Sequence, residues 1–152
     1  LNAGEVAAVM SIYSIGLLAG RIATGFALDH LPAYLVGAFM TVVPAIGIVL
    51  LMLPAPSFAV AALAVGLIGL QQGSEVDLFA YFISRNFGVK HYSSLYGLIA
   101  MAGALSTAIA LVLFGKVHDA TGSYQVALII GGVLFVLGSL AFLAIGRGKP
   151  AG

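Results

Sequence analysis

Residues 31–74 read LPAYLVGAFMTVVPAIGIVLLMLPAPSFAVAALAVGLIGLQQGS and contain no Asp, Glu, Lys or Arg. A helix that crosses a bilayer needs about 20 predominantly apolar residues, so this stretch holds two crossings. The break between them is Pro54-Ala55-Pro56-Ser57, because prolines with a serine mark a turn between periodic segments. That places one span at roughly residues 33–53 and the next at roughly 57–84. Pro44 falls midway along the earlier of the two, where a missing N–H and a clashing ring predict a kink.

Working outward gives three more spans. Toward the N-terminus, roughly residues 5–28 are apolar apart from Arg21. Asn2 and Glu5 have the spacing of a helix N-cap with a back-bonding carboxylate, and Asp29, His30 and Pro32 close the segment. Toward the C-terminus, residues 85–91 (RNFGVKH) form a polar linker. Residues 92–115 then carry no acid or base, residues 116–123 form a turn pivoting on Gly122, and residues 124–146 make the last span before Arg147 and Lys149. The runs are too long for barrel strands and lack period-two alternation. Helices also satisfy their backbone hydrogen bonds internally, as lipid requires. The expected fold is therefore all-α, a polytopic transmembrane bundle of five spans in a single domain.

Composition supports this reading and excludes others. Of 152 residues, 62% are hydrophobic and 7% charged, and the mean hydropathy is +1.17. A soluble domain carries about 25% charged residues, so this chain could not coat a water-exposed globule of its size. The net charge of +1 includes no basic patch, which sets nucleic acid aside. There are no cysteines, hence no disulfide scaffold and no thiolate site. His30, His91 and His118 stand on different turns without metal-ligand spacing. Neither a G-x-S-x-G elbow nor a phosphate-binding loop occurs. No enzyme, metal or cofactor is expected.

The basic residues set the orientation. Arg21, Arg85, Lys90, Arg147 and Lys149 fall toward one side, and only Lys116 toward the other. The positive-inside rule then puts the C-terminus in the cytoplasm and, after an odd number of spans, the N-terminus outside. The chain opens without a basic stretch and short apolar core, so no signal peptide is visible; an outside start implies upstream spans and a fragment of a longer protein. Gly16 with Gly20, Gly69 with Gly73, and Ala104 with Ala108 have the spacing that lets membrane helices approach closely.

Three charges fall within spans. A charge at mid-membrane costs on the order of 2.5–3.5 kcal/mol by insertion scales, so it faces a cavity or a partner. Arg21 precedes Asp29, and Asp77 precedes Arg85, by the same interval, which places both about 12 Å inside the cytoplasmic end. Glu75 lies about 3 Å deeper. Arg21 can thus meet an acid of the third span at matched depth. Glu75 and Asp77 project about 200° apart on a helix. Gln71, Glu75 and Phe79 form one stripe, and Gly73, Asp77, Tyr81 and Arg85 another. One acid is therefore expected to pair with Arg21, while the other faces elsewhere. The same residues admit a functional role, since intramembrane acids serve proton relays, and Glu75 is the candidate for proton coupling. Gln71, Gln72, Gly73 and Ser74 suit a substrate cavity or bonds to neighbouring helices. Tyr13, Ser14, Ser106 and Thr107 are weaker polar candidates, because a mid-helix Ser or Thr commonly bonds its own backbone.

Several segments resemble the major facilitator superfamily. Residues 25–29 (GFALD) match the Gly-x-x-x-Asp core of the family's cytoplasmic loop signature, preceded by Gly20-Arg21 as is usual after its eighth span. Residues 81–88 (YFISRNFG) are similar to the linker after the tenth span, Tyr96-Gly97 to the opening of the eleventh, and residues 114–124 (FGKVHDATGSY) to the short outer turn before the twelfth. The likeness covers nearly the whole chain, as spans eight to twelve of the C-terminal half. Two positions depart from it: His30 stands for the usual Arg or Lys, and Pro32 interrupts the glycine-basic continuation. The resemblance implies that Gly25, Asp29 and Arg85 belong to a cytoplasmic gate, Gly25 by close helix approach and Asp29 by accepting hydrogen bonds from a helix N-terminus or Arg85. Residues 73–78 (GSEVDL) are similar to a segment of carriers related to oxalate/formate and monocarboxylate transporters.

The implied function is part of a secondary active transporter for a small solute such as an organic anion, proton-coupled, in the cell inner or plasma membrane. Its partners would be that small-molecule substrate, the lipid bilayer and the missing N-terminal spans of the same transporter. Two six-helix halves would rock about a midplane site. The alternatives are a free-standing five-span assembly or sensor protein without transport activity, and an intramembrane enzyme using both acids, against which their opposed faces speak.

Overall fold

A computed structural model describes residues 2–147. They form five long helices: α1 (Ala3–His30), α2 (Ala33–Leu51), α3 (Phe58–Phe87), α4 (Tyr92–Thr121) and α5 (Gln125–Arg147). All five are long and apolar enough to cross a membrane. Lys149 and the side chain of Arg147, which contribute to the charge asymmetry, lie outside what is described.

The helix ends follow from local chemistry. The Asn2 side chain accepts from the Glu5 amide, and Glu5 Oε2 accepts from the Asn2 amide, both at 2.8 Å. This reciprocal cap satisfies two otherwise orphaned donors at the start of α1. Leu31 is extended, as the residue before a proline must be, and α1 stops there. Helix α2 continues without a break through the buried Pro44. Helix α3 ends at Gly88, whose φ of 73° is open to glycine, and one 3₁₀ turn (Val89–His91) leads into α4. Helix α4 continues past Lys116 to Thr121, so the turn between α4 and α5 is shorter than its polar sequence implies. A helix whose last turn is polar still propagates until a residue adopts the left-handed cap, here Gly122 with φ 69°.

Helices α1 and α3 run parallel and touch backbone to backbone. A Cβ added to Gly16 would strike the Gly66 carbonyl, and one on Gly20 the Leu70 carbonyl. From the other side, a Cβ on Gly69 would meet the Tyr13 carbonyl and one on Gly73 the Leu17 carbonyl. The two glycine pairs of the sequence are thus the two halves of one seam. Without a hydrophobic driving force inside lipid, such close packing is what holds helices together.

Helix α2 runs antiparallel to both α3 and α5. Gly47 lies against the Ala64 carbonyl, at 2.7 Å for an added Cβ. Ser139 Oγ of α5 donates to the Ala38 carbonyl of α2 at 2.8 Å, and Gly37 lies against the Phe142 ring. Val36, Met40 and Leu78 form the buried apolar centre between α2 and α3. The core therefore consists of α1, α2, α3 and α5. Helix α4 has no buried residue.

Candidate functional site

The acidic stripe of α3 opens onto a cavity of about 160 Å³ lined by Met40 and Thr41 of α2, Phe142 of α5, and Gln71, Ser74, Glu75, Leu78 and Phe79 of α3. The Gln71–Glu75–Phe79 stripe expected from helical spacing is thus brought to one wall. Helix α1 contributes no residue to it.

The seam explains this orientation. Gly73 meets Leu17, and Ser74 Oγ lies 3.4 Å from the Gly20 carbonyl, so both face α1. One residue further is about 100° of rotation, which turns Glu75 away from α1 and toward α2 and α5. Arg21 is displaced by the same geometry. Gly20 and the fully buried Thr24 occupy the seam face of α1, and Arg21, one position round from Gly20, is exposed.

The expected contact between Arg21 and an acid of α3 is therefore not made. Their depths do match, since Gly20 and Ser74 touch, but their azimuths do not. The only ion pair among the described residues joins His118 to its neighbour Asp119 at 4.0 Å. Glu75 instead accepts from the Gln72 amide at 3.3 Å. Asp77 is half-buried on the stripe that includes Gly73 and lies outside the cavity lining.

Two hydroxyls at the cavity are committed to backbone. Thr41 Oγ1 donates to the Gly37 carbonyl at 2.7 Å, and Ser74 Oγ to the Leu70 carbonyl at 2.8 Å. A carbonyl oxygen only accepts, so in each case the hydroxyl hydrogen is used. Gln71 lines the cavity, half-buried, while Gln72 is exposed.

The remaining sequence candidates lie apart. Tyr13 packs in the α1–α3 seam against Gly69. Ser106 and Thr107 are exposed on α4, and Ser14 bonds the Met10 carbonyl of its own helix. Gly25 and Asp29 are exposed on α1, and an added Cβ at Gly25 would meet nothing within 4 Å. Arg85 turns back on Tyr81, with Nε 3.3 Å from the phenol oxygen and the guanidinium 5.6 Å from the ring centre. Gly25, Asp29 and Arg85, expected together at a gate, are thus not joined to one another among the described residues.

Thr41, Phe142 and Ser139 went unnoticed in the sequence. Thr41 carried a usable signal, as a polar residue in the middle of an otherwise apolar span. Thr24 was also unnoticed; its hydroxyl is buried without a hydrogen-bond partner among the described residues. A second cleft, of about 350 Å³ between α2 and α5, is lined by apolar side chains such as Ile48, Met52, Leu128 and Val133.

Comparisons with protein-family models, curated proteins and solved structures find no match.

Proposed function

We propose that the chain forms five spans of the C-terminal half of a secondary transporter of the major facilitator type. It moves a small solute, an organic anion by class, through alternating access in the cell membrane, with its C-terminus in the cytoplasm. Glu75 takes up the coupling proton.

The observation that carries this reading is the half-buried Glu75 of α3 lining a cavity between α2, α3 and α5, with no basic side chain among the described residues paired to it. A carboxylate inside a membrane is costly unless it meets water, a partner or a proton. Two further features agree. Helices α1, α2 and α3 alternate in direction, as successive crossings must, and α4 has no buried residue, as suits a helix whose neighbours are other spans of the same transporter.

The test is flux. The full transporter is reconstituted in proteoliposomes with labelled lactate or oxalate inside and out. Glu75→Gln should abolish uptake driven by a pH gradient and preserve exchange of internal for external solute. Gradient-driven uptake equal to that of the unmodified protein would refute the role of Glu75. Absence of any exchange by the unmodified protein with small carboxylates would refute the substrate class.

A further inference from the structure

We infer that the turn between α3 and α4 docks on anionic phospholipid in the leaflet it faces. The inference needs only that the helices cross a bilayer, and it stands apart from the transport reading.

Charge sets this turn apart. Arg85 and Lys90 are exposed, as is His91 beside them, and residues 78–118 contain no Asp or Glu. The other turns differ. Asp29 precedes the turn between α1 and α2, residues 52–57 between α2 and α3 carry no charge, and Asp119 stands beside Lys116 and His118 at the end of α4. None of Arg85, Lys90 and His91 joins an ion pair among the described residues. Neighbouring polar groups are already used: Ser84 Oγ donates to the Tyr81 carbonyl at 2.9 Å, and Asn86 Nδ2 to the Phe82 carbonyl at 2.8 Å. Arg85 commits Nε to the Tyr81 phenol oxygen. Its two terminal NH₂ groups are left to face an outside acceptor.

The same turn exposes two large apolar side chains. Phe87 is 60% exposed and Val89 85%, one on each side of Gly88. Apolar groups beside cations form an interfacial anchor: the apolar groups enter the acyl boundary while the basic heads meet phosphates. Gly88 makes the arrangement compact. Its φ of 73° ends α3, and the single 3₁₀ turn Val89–His91 follows, so the basic and apolar residues gather in one short turn.

Tyrosines mark the depth. Tyr81 on α3 and Tyr92 and Tyr96 on α4 border the turn, the last two with rings stacked at 5.6 Å between centroids. Tyrosine collects at the headgroup level of a bilayer, which sets the turn at the height of the phosphates. An anionic phospholipid answers both features, since its headgroup meets the cations and its chains cover Phe87 and Val89. Free phosphate would meet the charges alone. Each Lys or Arg near an anionic leaflet favours association about fivefold.

The chain has no tryptophan, so Phe87→Trp places a single reporter in the turn. Its fluorescence is read in vesicles with brominated phosphatidylglycerol or brominated phosphatidylcholine as quencher at equal mole fraction. Stronger quenching by the anionic lipid is expected, equivalent to a preference of about fivefold or more. Lys90→Gln should cut that preference severalfold, and Arg85→Gln by less, since Tyr81 already holds its Nε. Both changes together, or salt at about 1 M, should remove it. Leu53→Trp, in the uncharged turn between α2 and α3, should be quenched equally by the two lipids. All four positions are exposed, so none of these changes disturbs the core. Equal quenching of Phe87→Trp by the two lipids overturns the proposal. So does a preference that survives the double change, or the same preference at Leu53→Trp. Quenching by neither lipid would mean that protein covers the turn, and overturns it as well.

Discussion

The α1–α3 seam and helix α4 carry the same sequence signal and meet opposite fates. Gly16 and Gly20 on one helix and Gly69 and Gly73 on the other interlock until backbones touch. Ala104 and Ala108 on α4 have the same four-residue spacing, and both are exposed. Small residues at this interval show that a helix is shaped for close approach. They do not name the partner. In the seam the partner lies within the chain, and it fixes the rotation of α3 and hence the direction of Glu75. On α4 the surface is prepared and no helix of the described residues covers it.

The contrast can be broken most sharply at Gly73. Gly73→Leu would push a side chain into the Leu17 backbone, which cannot yield as a flexible side chain could. Overpacking costs about 1–3 kcal/mol in a core that can adjust, and this site should reach or exceed the upper end. The expected outcome in detergent is loss of the folded, monodisperse species, read by size exclusion and thermal melting followed by circular dichroism. A melting temperature close to that of the unmodified chain would mean that the seam is looser than described.

The smallest effect is expected on α4. Ala104→Leu adds bulk to an exposed surface and should change the stability of this chain by no more than about 0.5 kcal/mol. On the transport reading proposed above, the same change in the longer protein should cut solute flux, because other spans would then meet the added bulk. Destabilisation of the isolated chain as severe as that from Gly73→Leu would show that α4 packs inside it, and the contrast would fail.

Much of the fold is legible in the sequence, for reasons that the spans themselves show. Charge-free runs of bilayer length and the Pro54–Pro56 break mark the five helices within a few residues. The Asn2–Glu5 cap and the Gly122 pivot mark ends, because each depends on neighbours in the chain. The end of α4 was misjudged since polarity at Lys116 does not stop a helix. The Gln71–Glu75–Phe79 wall also follows from local periodicity.

What faces that wall does not. The partner of Glu75 depends on the rotation of α3 about its axis, which the contact of Gly73 with Leu17 decides across more than fifty residues of sequence. Depth matching places Arg21 and Glu75 at one level and says nothing about azimuth. Thr41 and Phe142 enter the site only through packing of α2 and α5, so no spacing rule points to them.

The direction in which Glu75 points is the claim on which the rest depends, and the absence of native cysteines makes it directly measurable. Two double variants are compared in native membranes with a short thiol cross-linker, Thr41→Cys with Glu75→Cys and Arg21→Cys with Glu75→Cys. Rapid cross-linking of the first pair, with little of the second, is the predicted result. Efficient cross-linking of the Arg21 pair and none at Thr41 would contradict it, returning Glu75 to a buried ion pair and leaving the cavity without its acid.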